Sequence, residues 1–171
     1  MGNWIQTFTG KRFTPSEPKP ELFDIRDIAH SLSMLCRYNG HCRTFYSVAE
    51  HSVRVSRICA PEEQRWGLLH DLGEAYMGDM PRPIKLHFPL FVEIEEQVLK
   101  VAAEVFQLGS WPMPPGVKVA DDVLLSTEFR DLLAEIPDPY PPPQEPLPAA
   151  IAPTPAAPTE RAFLPRLDAP K

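Results

Sequence analysis

An all-α bundle is the fold class this chain predicts, and three features of the sequence carry the expectation. Apolar residues recur at three- and four-residue spacing over 25–36, 91–108 and 117–133, the period of one buried helix face. Two further helical segments flank Ala60-Pro61 and read as a helical hairpin. Strand pairing is expected only in a short N-terminal hairpin, and the C-terminal stretch, 136–171, holds 12 of the 22 prolines, a density that forbids continuous helix. The length, 171 residues, suits one domain with a substantial core. Residues 1–135 are expected to form that core and 136–171 a proline-rich, mostly extended tail.

Each element has its own local reason. Trp4 to Phe8 and Arg12-Phe13-Thr14, around Thr9-Gly10-Lys11, read as a small hairpin lying over the helices. Pro15, Pro18 and Pro20 keep the next segment extended. Asp24 or Asp27 then caps a helix carrying Ile25, Ile28, Ala29, Leu32, Leu35 and Cys36, which Asn39-Gly40 stops. In the helical hairpin, Val48, Val53, Val55 and Ile58 supply the first arm. Pro61-Glu62-Glu63 opens the second, because proline suits a first helical turn and acids its positive end. Gly78 ends that arm, and Pro81 and Pro83 fix an extended loop. Phe91, Ile94, Val98, Val101, Ala102, Val105 and Phe106 mark a long amphipathic helix, with Glu93, Glu95 and Glu96 near its start, where acids are stabilised, and at least two of them on its solvated face. A proline-rich link leads into the last core helix, where Val117, Val119, Ala120, Val123, Leu124, Phe129, Leu132 and Leu133 supply apolar positions. Within the tail, 159–164 is expected to dock as one helical turn that Pro165 stops.

Composition narrows the function classes. A net charge of −6 gives no general reason for nucleic-acid or membrane binding. Cys36, Cys42 and Cys59 are odd in number and lack zinc-knuckle or redox spacing, so they read as reduced thiols of a cytoplasmic protein. No run is long and apolar enough for a membrane span or secretory signal. Gln6 stands where a myristoylation signal needs Ser or Thr.

The chemistry concentrates in 47–85. From His51 to Cys59 is eight residues and from Glu62 to His70 is another eight, about 12 Å each at ~1.5 Å rise per residue. The two imidazoles therefore arrive level on helices whose axes lie roughly 8–10 Å apart. At that separation they can share a metal ion, with Asp71 as a carboxylate beside them. Glu74 follows four residues after His70 and three after Asp71, one turn on along the same face. A lone helix histidine is ordinarily a packing residue, and it is the matched heights that favour a ligand role here. His30 and His87 have no such context and read as surface or packing residues.

Taken in order, His51, His70-Asp71 and Asp121 resemble the pattern of small HD-domain metal-dependent phosphohydrolases. Arg37-Tyr38-Asn39-Gly40-His41, Tyr46-Ser47-Val48-Ala49-Glu50-His51-Ser52, Glu74 and Gly78-Asp79-Met80-Pro81-Arg82-Pro83-Ile84-Lys85 extend the likeness over roughly 4–133. The resemblance implies an HD-domain helical bundle in which His51, His70, Asp71 and Asp121 hold one divalent metal ion, Asp121 being selected over the adjacent Asp122. It also implies that Arg37 grips substrate phosphate or sugar oxygens, with His41 beside it, that Asp79 accepts from a sugar hydroxyl, and that Lys85 offsets phosphate charge. Without it, Arg37 would simply complement a helix dipole, and Asp79 and Lys85 would be solvated loop charges.

Two imidazoles and two carboxylates suit Mn, Co, Zn or Fe and leave positions for water and a phosphate oxygen. Glu74 is the carboxylate placed to take or relay a proton. The expected activity is hydrolysis of nucleotide phosphate esters, specifically that of a 5'-deoxynucleotidase on deoxynucleoside monophosphates. Its rival within the class is a deoxynucleoside triphosphate triphosphohydrolase. From another class comes a non-catalytic binding or regulatory module stapled by its metal. A nucleotide is the expected partner, and relatives of this kind imply a homo-oligomer.

Overall fold

Asp24 stands in extended conformation before the first long helix, and its carboxylate accepts the Arg26 amide at 3.0 Å, a local cap. That helix, α1 (Ile25–Met34), begins an all-α fold in the computed structural model of the chain, which describes residues 2–138 and 141–167. Ahead of α1, β1 (Ile5–Gln6) pairs antiparallel with β2 (Arg12–Phe13), Ile5 opposite Phe13. The hairpin is tied down at both ends. At its tip, Thr9 donates its amide and hydroxyl to Asp27 on α1 at 2.6 and 2.9 Å; at its base, Phe13 is fully buried and stacks on Tyr76.

The helix α1 stops short of the predicted Asn39-Gly40. Leu35 and Cys36 are extended instead, because Leu35 O accepts from Val48 N–H and Arg37 N–H donates to Tyr46 O. The chain reverses through 37–40 with Tyr38 (φ 56) and Asn39 (φ 50) in left-handed backbone, uncommon for residues with a side chain.

The central hairpin forms as its sequence predicts. Ser47 caps α2 (Val48–Ile58) by accepting the Glu50 amide at 3.1 Å. Pro61 opens a short 3-10 turn into α3 (Gln64–Leu69). Close approach of the two arms depends on Gly67, where an added Cβ would lie 2.6 Å from Cys59 Sγ and 3.1 Å from Ser56 Cα. Beyond Leu69 the helix tightens. Leu72 and Glu74 amides donate three residues back, to Leu69 O and Asp71 O, before α4 (Glu74–Met77) resumes and Gly78 (φ 80) ends it. The loop expected around Pro81 and Pro83 contains one helical turn, α5 (Arg82–Lys85): Pro81 flanks its start and Pro83 lies in the first turn, where no amide donor is needed.

Two long helices complete the core, α6 (Pro89–Val105) and α7 (Pro115–Leu132). Trp66, Leu68 and Leu69 of α3 are buried with Ile28 and Leu32 of α1, Val55 of α2, Val98 of α6 and Leu124 of α7. At the centre, α2 packs against α1, α3 and α7.

The C-terminal segment departs from expectation. Instead of one turn over 159–164, it ends in a helix of 12 residues, α8 (Ala156–Leu167), packed on α1, α2 and α3 with Phe163 fully buried. Pro158 sits in the first turn, and Pro165 lies close enough to the C-terminus that only Arg161 O loses its helical donor. The extended chain before α8 is strapped to the core. Gln144, Leu147, Ile151 and Thr154 amides donate to Ser126 Oγ, Thr127 Oγ1, Asp131 Oδ2 and Glu50 Oε2 at 3.2, 2.9, 2.8 and 2.8 Å. Proline removes helical bonds here, yet the remaining amides find side-chain acceptors every three or four residues. Among the described residues no helix is long and apolar enough to cross a membrane.

Candidate metal centre

Three helical elements converge where the sequence places the histidines. His51 is carried by α2, His70 and Asp71 by the tightened turn after α3, and Asp121 by α7. His51 Nε2 lies 3.3 Å from His70 Nε2 and 3.2 Å from Asp121 Oδ1. Asp71 Oδ2 is 3.2 Å from His70 Nε2 and 3.6 Å from His51 Nε2. One ligand atom each from His51, His70 and Asp121 fall within 4.8 Å of one another. That is a compact donor set able to hold a metal ion.

The outer ring nitrogens fix how the imidazoles present themselves. His51 Nδ1 lies 2.7 Å from Glu128 Oε1, and His70 Nδ1 lies 2.8 Å from Gly67 O. A carboxylate and a carbonyl only accept, so Nδ1 carries the proton in both rings. Both Nε2 lone pairs are thereby left facing the centre, alongside two carboxylates. Such outer bonds orient and strengthen metal-binding histidines. Four inward acceptors repel one another unless a cation sits among them, so the donor chemistry fits a divalent ion. With only protons available, burial and Arg37 oppose charging His51, yet Glu128 and Asp121 hold its pKa up to about 9. Burial would raise Asp71 and Asp121, but the imidazoles hold both carboxyls well below the usual range.

Glu128 was not singled out from the sequence. Fully buried in α7, it accepts from His51 Nδ1, from Arg37 Nη2 at 3.2 Å and from the Tyr38 hydroxyl. Despite its burial, Arg37 and His51 hold its carboxyl down to about 2. Its spacing was the available signal: seven residues after Asp121, it shares the same face two turns on.

Arg37 bridges the site, with Nη1 3.5 Å from Asp71 Oδ2 and Nη2 at Glu128. It also lines a cavity of about 770 Å³ with Tyr38, Asn39, Asp79, Arg82, Leu86, Phe129 and the strap prolines Pro141 and Pro143. Asp79 therefore shares a cavity with Arg37. So does Asp122, which pairs with Lys118, whereas Asp121 is the acid of the pair that reaches His51. A smaller cavity of about 180 Å³ opens on His70, Asp71, Glu74 and Lys85. Glu74 Oε2 is buried without a hydrogen-bond partner among the described residues; burial, with Asp71 and Asp79 nearby, raises its carboxyl well above the usual range. Lys85 lies in that cavity but is tied to both oxygens of Glu95 at 2.8 Å. His41 is exposed and lines neither cavity, so the structure does not bring it to the centre.

No family model matches the chain. It is 41% identical over 130 residues to the uncharacterized protein YfdR of Escherichia coli, covering 76% of this chain and 72% of YfdR. An uncharacterized protein of Rhodobacter capsulatus is 33% identical over 142 residues, covering 75% of this chain and 72% of its own length.

Proposed function

For this chain, which belongs to the family that includes YfdR of Escherichia coli, we propose metal-dependent hydrolysis of nucleotide phosphate esters, specifically removal of phosphate from deoxynucleoside monophosphates in the manner of HD-domain phosphohydrolases. The observation that supports it most directly is the pair of Nδ1 bonds, to Glu128 and to Gly67 O, that leaves two imidazole lone pairs turned on the space they share with Asp121, with Asp71 beside both rings.

A divalent ion bound by His51, His70, Asp71 and Asp121 would supply Lewis-acid polarisation of a phosphoryl oxygen and a more acidic water. The chain's own groups supply the rest. Arg37, poised between Asp71 and the larger cavity, neutralises charge growing on the phosphoryl oxygens. Glu74 borders the small cavity with His70 and Asp71, and its raised proton affinity suits a carboxylate that must accept a proton near neutral pH. Asp79, on the wall that carries Arg37, accepts from a sugar hydroxyl, while the apolar faces of Leu86 and the strap prolines keep water from the nucleoside. Lys85 is held by Glu95, so its charge reaches the phosphate only through that pair.

The test is incubation of manganese- or cobalt-loaded protein with deoxynucleoside and ribonucleoside mono- and triphosphates, with chelator controls and chromatography of the products. Orthophosphate from deoxynucleoside monophosphates is expected, and it should vanish with chelator. Tripolyphosphate would transfer the assignment to triphosphohydrolase, and loaded protein that leaves every nucleotide intact would sink the hydrolase reading. Glu74→Gln should lower turnover by about 10²–10⁴-fold with bound metal unchanged.

A further inference from the structure

Two thiols that look unrelated in the sequence meet in the fold. Cys36 Sγ and Cys42 Sγ lie 3.6 Å apart, in contact but unbonded, and both are half-buried. The intervening turn explains the meeting: Tyr38 and Asn39 take left-handed backbone, Gly40 follows at φ 79, and the chain reverses. The stems are pinned outside the turn by Arg37 N–H to Tyr46 O at 2.9 Å and Arg43 N–H to Leu132 O at 2.8 Å. Cys59, the third thiol, is buried against Gly67 elsewhere. Arg37, the neighbour of Cys36, is the residue that reaches Asp71 and Glu128.

We propose that Cys36 and Cys42 are a reversible oxidative modification site, closed by hydrogen peroxide into an intrachain disulfide that clamps the loop bearing Arg37. The Cys36 thiolate attacks one peroxide oxygen; an S–O bond forms, the O–O bond breaks, and the departing hydroxide leaves as water with the proton that Cys36 gave up. The Cys42 sulfur then attacks the Cys36 sulfenic sulfur; S–S forms, S–O breaks, and hydroxide leaves as water with the Cys42 proton. Two thiols are oxidised and one peroxide is reduced to two waters. Burial and the adjacent Cys36 sulfur favour the protonated form of Cys42, which suits the second, resolving role. The turn is already folded back, so closure costs little loop entropy. The sulfurs need only come from contact to about 2.05 Å. Closure also removes the S–H that Cys42 directs at Arg37 O.

The full chain, reduced and then treated with equimolar hydrogen peroxide, is alkylated and digested with trypsin without reductant. Cleavage after Arg26, Arg37 and Arg43 should give peptide 27–37 joined to 38–43, separable by dithiothreitol, with Cys59 found alkylated. Amide exchange across 38–42 should slow in the oxidised protein. Over-oxidation of either sulfur without a link, a link to Cys59, covalent dimers, or unchanged exchange would overturn the proposal. Cys42→Ser should leave a Cys36 sulfenic acid that dimedone captures; no capture would remove Cys36 from the attacking role. The wild-type peptide map decides the site even if that variant folds poorly.

Discussion

Glu128 is the residue on which the centre turns, because one fully buried carboxylate meets His51, Arg37 and Tyr38 together. It sets the His51 tautomer, and it pairs with the buried Arg37 guanidinium, which also reaches the Asp71 carboxylate. Replacing it with glutamine keeps the shape but removes the charge and puts an amide where only an acceptor serves. Loss of such an outer partner typically weakens metal binding about 10–100-fold. Breaking the buried ion pair adds a stability cost of about 3–5 kcal/mol. Glu128→Gln should therefore show weaker manganese binding by calorimetric titration and a lower urea midpoint. Unchanged affinity would mean that Glu128 does not orient His51.

At the scale of elements, α2 and α3 can bring His51 to His70 only because Gly67 lets them touch. An alanine there meets backbone at 3.1 Å as well as a sulfur at 2.6 Å, so the arms must part. Overpacking of this kind costs about 1–3 kcal/mol. Gly67→Ala should lose stability and metal affinity together, whereas a surface alanine on α6 should change neither. The level arrival of the two histidines was legible from eight-residue counts on either side of Pro61, and the 3.3 Å between their Nε2 atoms agrees with it. Of the C-terminal segment only the docked helical turn over 159–164 was legible; the full length of α8 and the strap were not, because proline content reports which helical bonds are missing and is silent on acceptors such as Ser126 and Thr127 in another helix. The role of Glu128 was hidden for a similar reason: its partners lie 77 to 91 residues away.

The strap offers a pH test. Asp131 accepts the Ile151 amide, and its carboxyl is held below the usual range chiefly by Arg130. A depressed folded pKa means a contribution fully present above the unfolded value near 3.9 and lost as pH falls through the folded value. The difference in urea midpoint between wild type and Asp131→Asn should stay constant from pH 7 to about pH 4 and close below that. A gap that closes at pH 6 would assign the effect to another group.

For the molecule as a whole, the centre joins elements far apart in the chain: α2, the turn after α3, and α7, with Glu128 adding the 37–40 loop. Unfolding scatters these donors, so a metal that binds them binds the folded state almost exclusively. At a hundredfold excess over its dissociation constant it should stabilise the fold by about 2.7 kcal/mol. For a domain of this length each kcal/mol moves the melting temperature by about 2–4 °C, so chelation should lower it by roughly 5–10 °C. Four inward acceptors left without a cation act in the same direction. The measurement is a pair of melts by circular dichroism, with saturating manganese and with chelator, repeated on His51→Ala and His70→Ala. The manganese-dependent rise should disappear in both variants. A rise of equal size in either would place the ion elsewhere and dissolve the link between the fold and this centre.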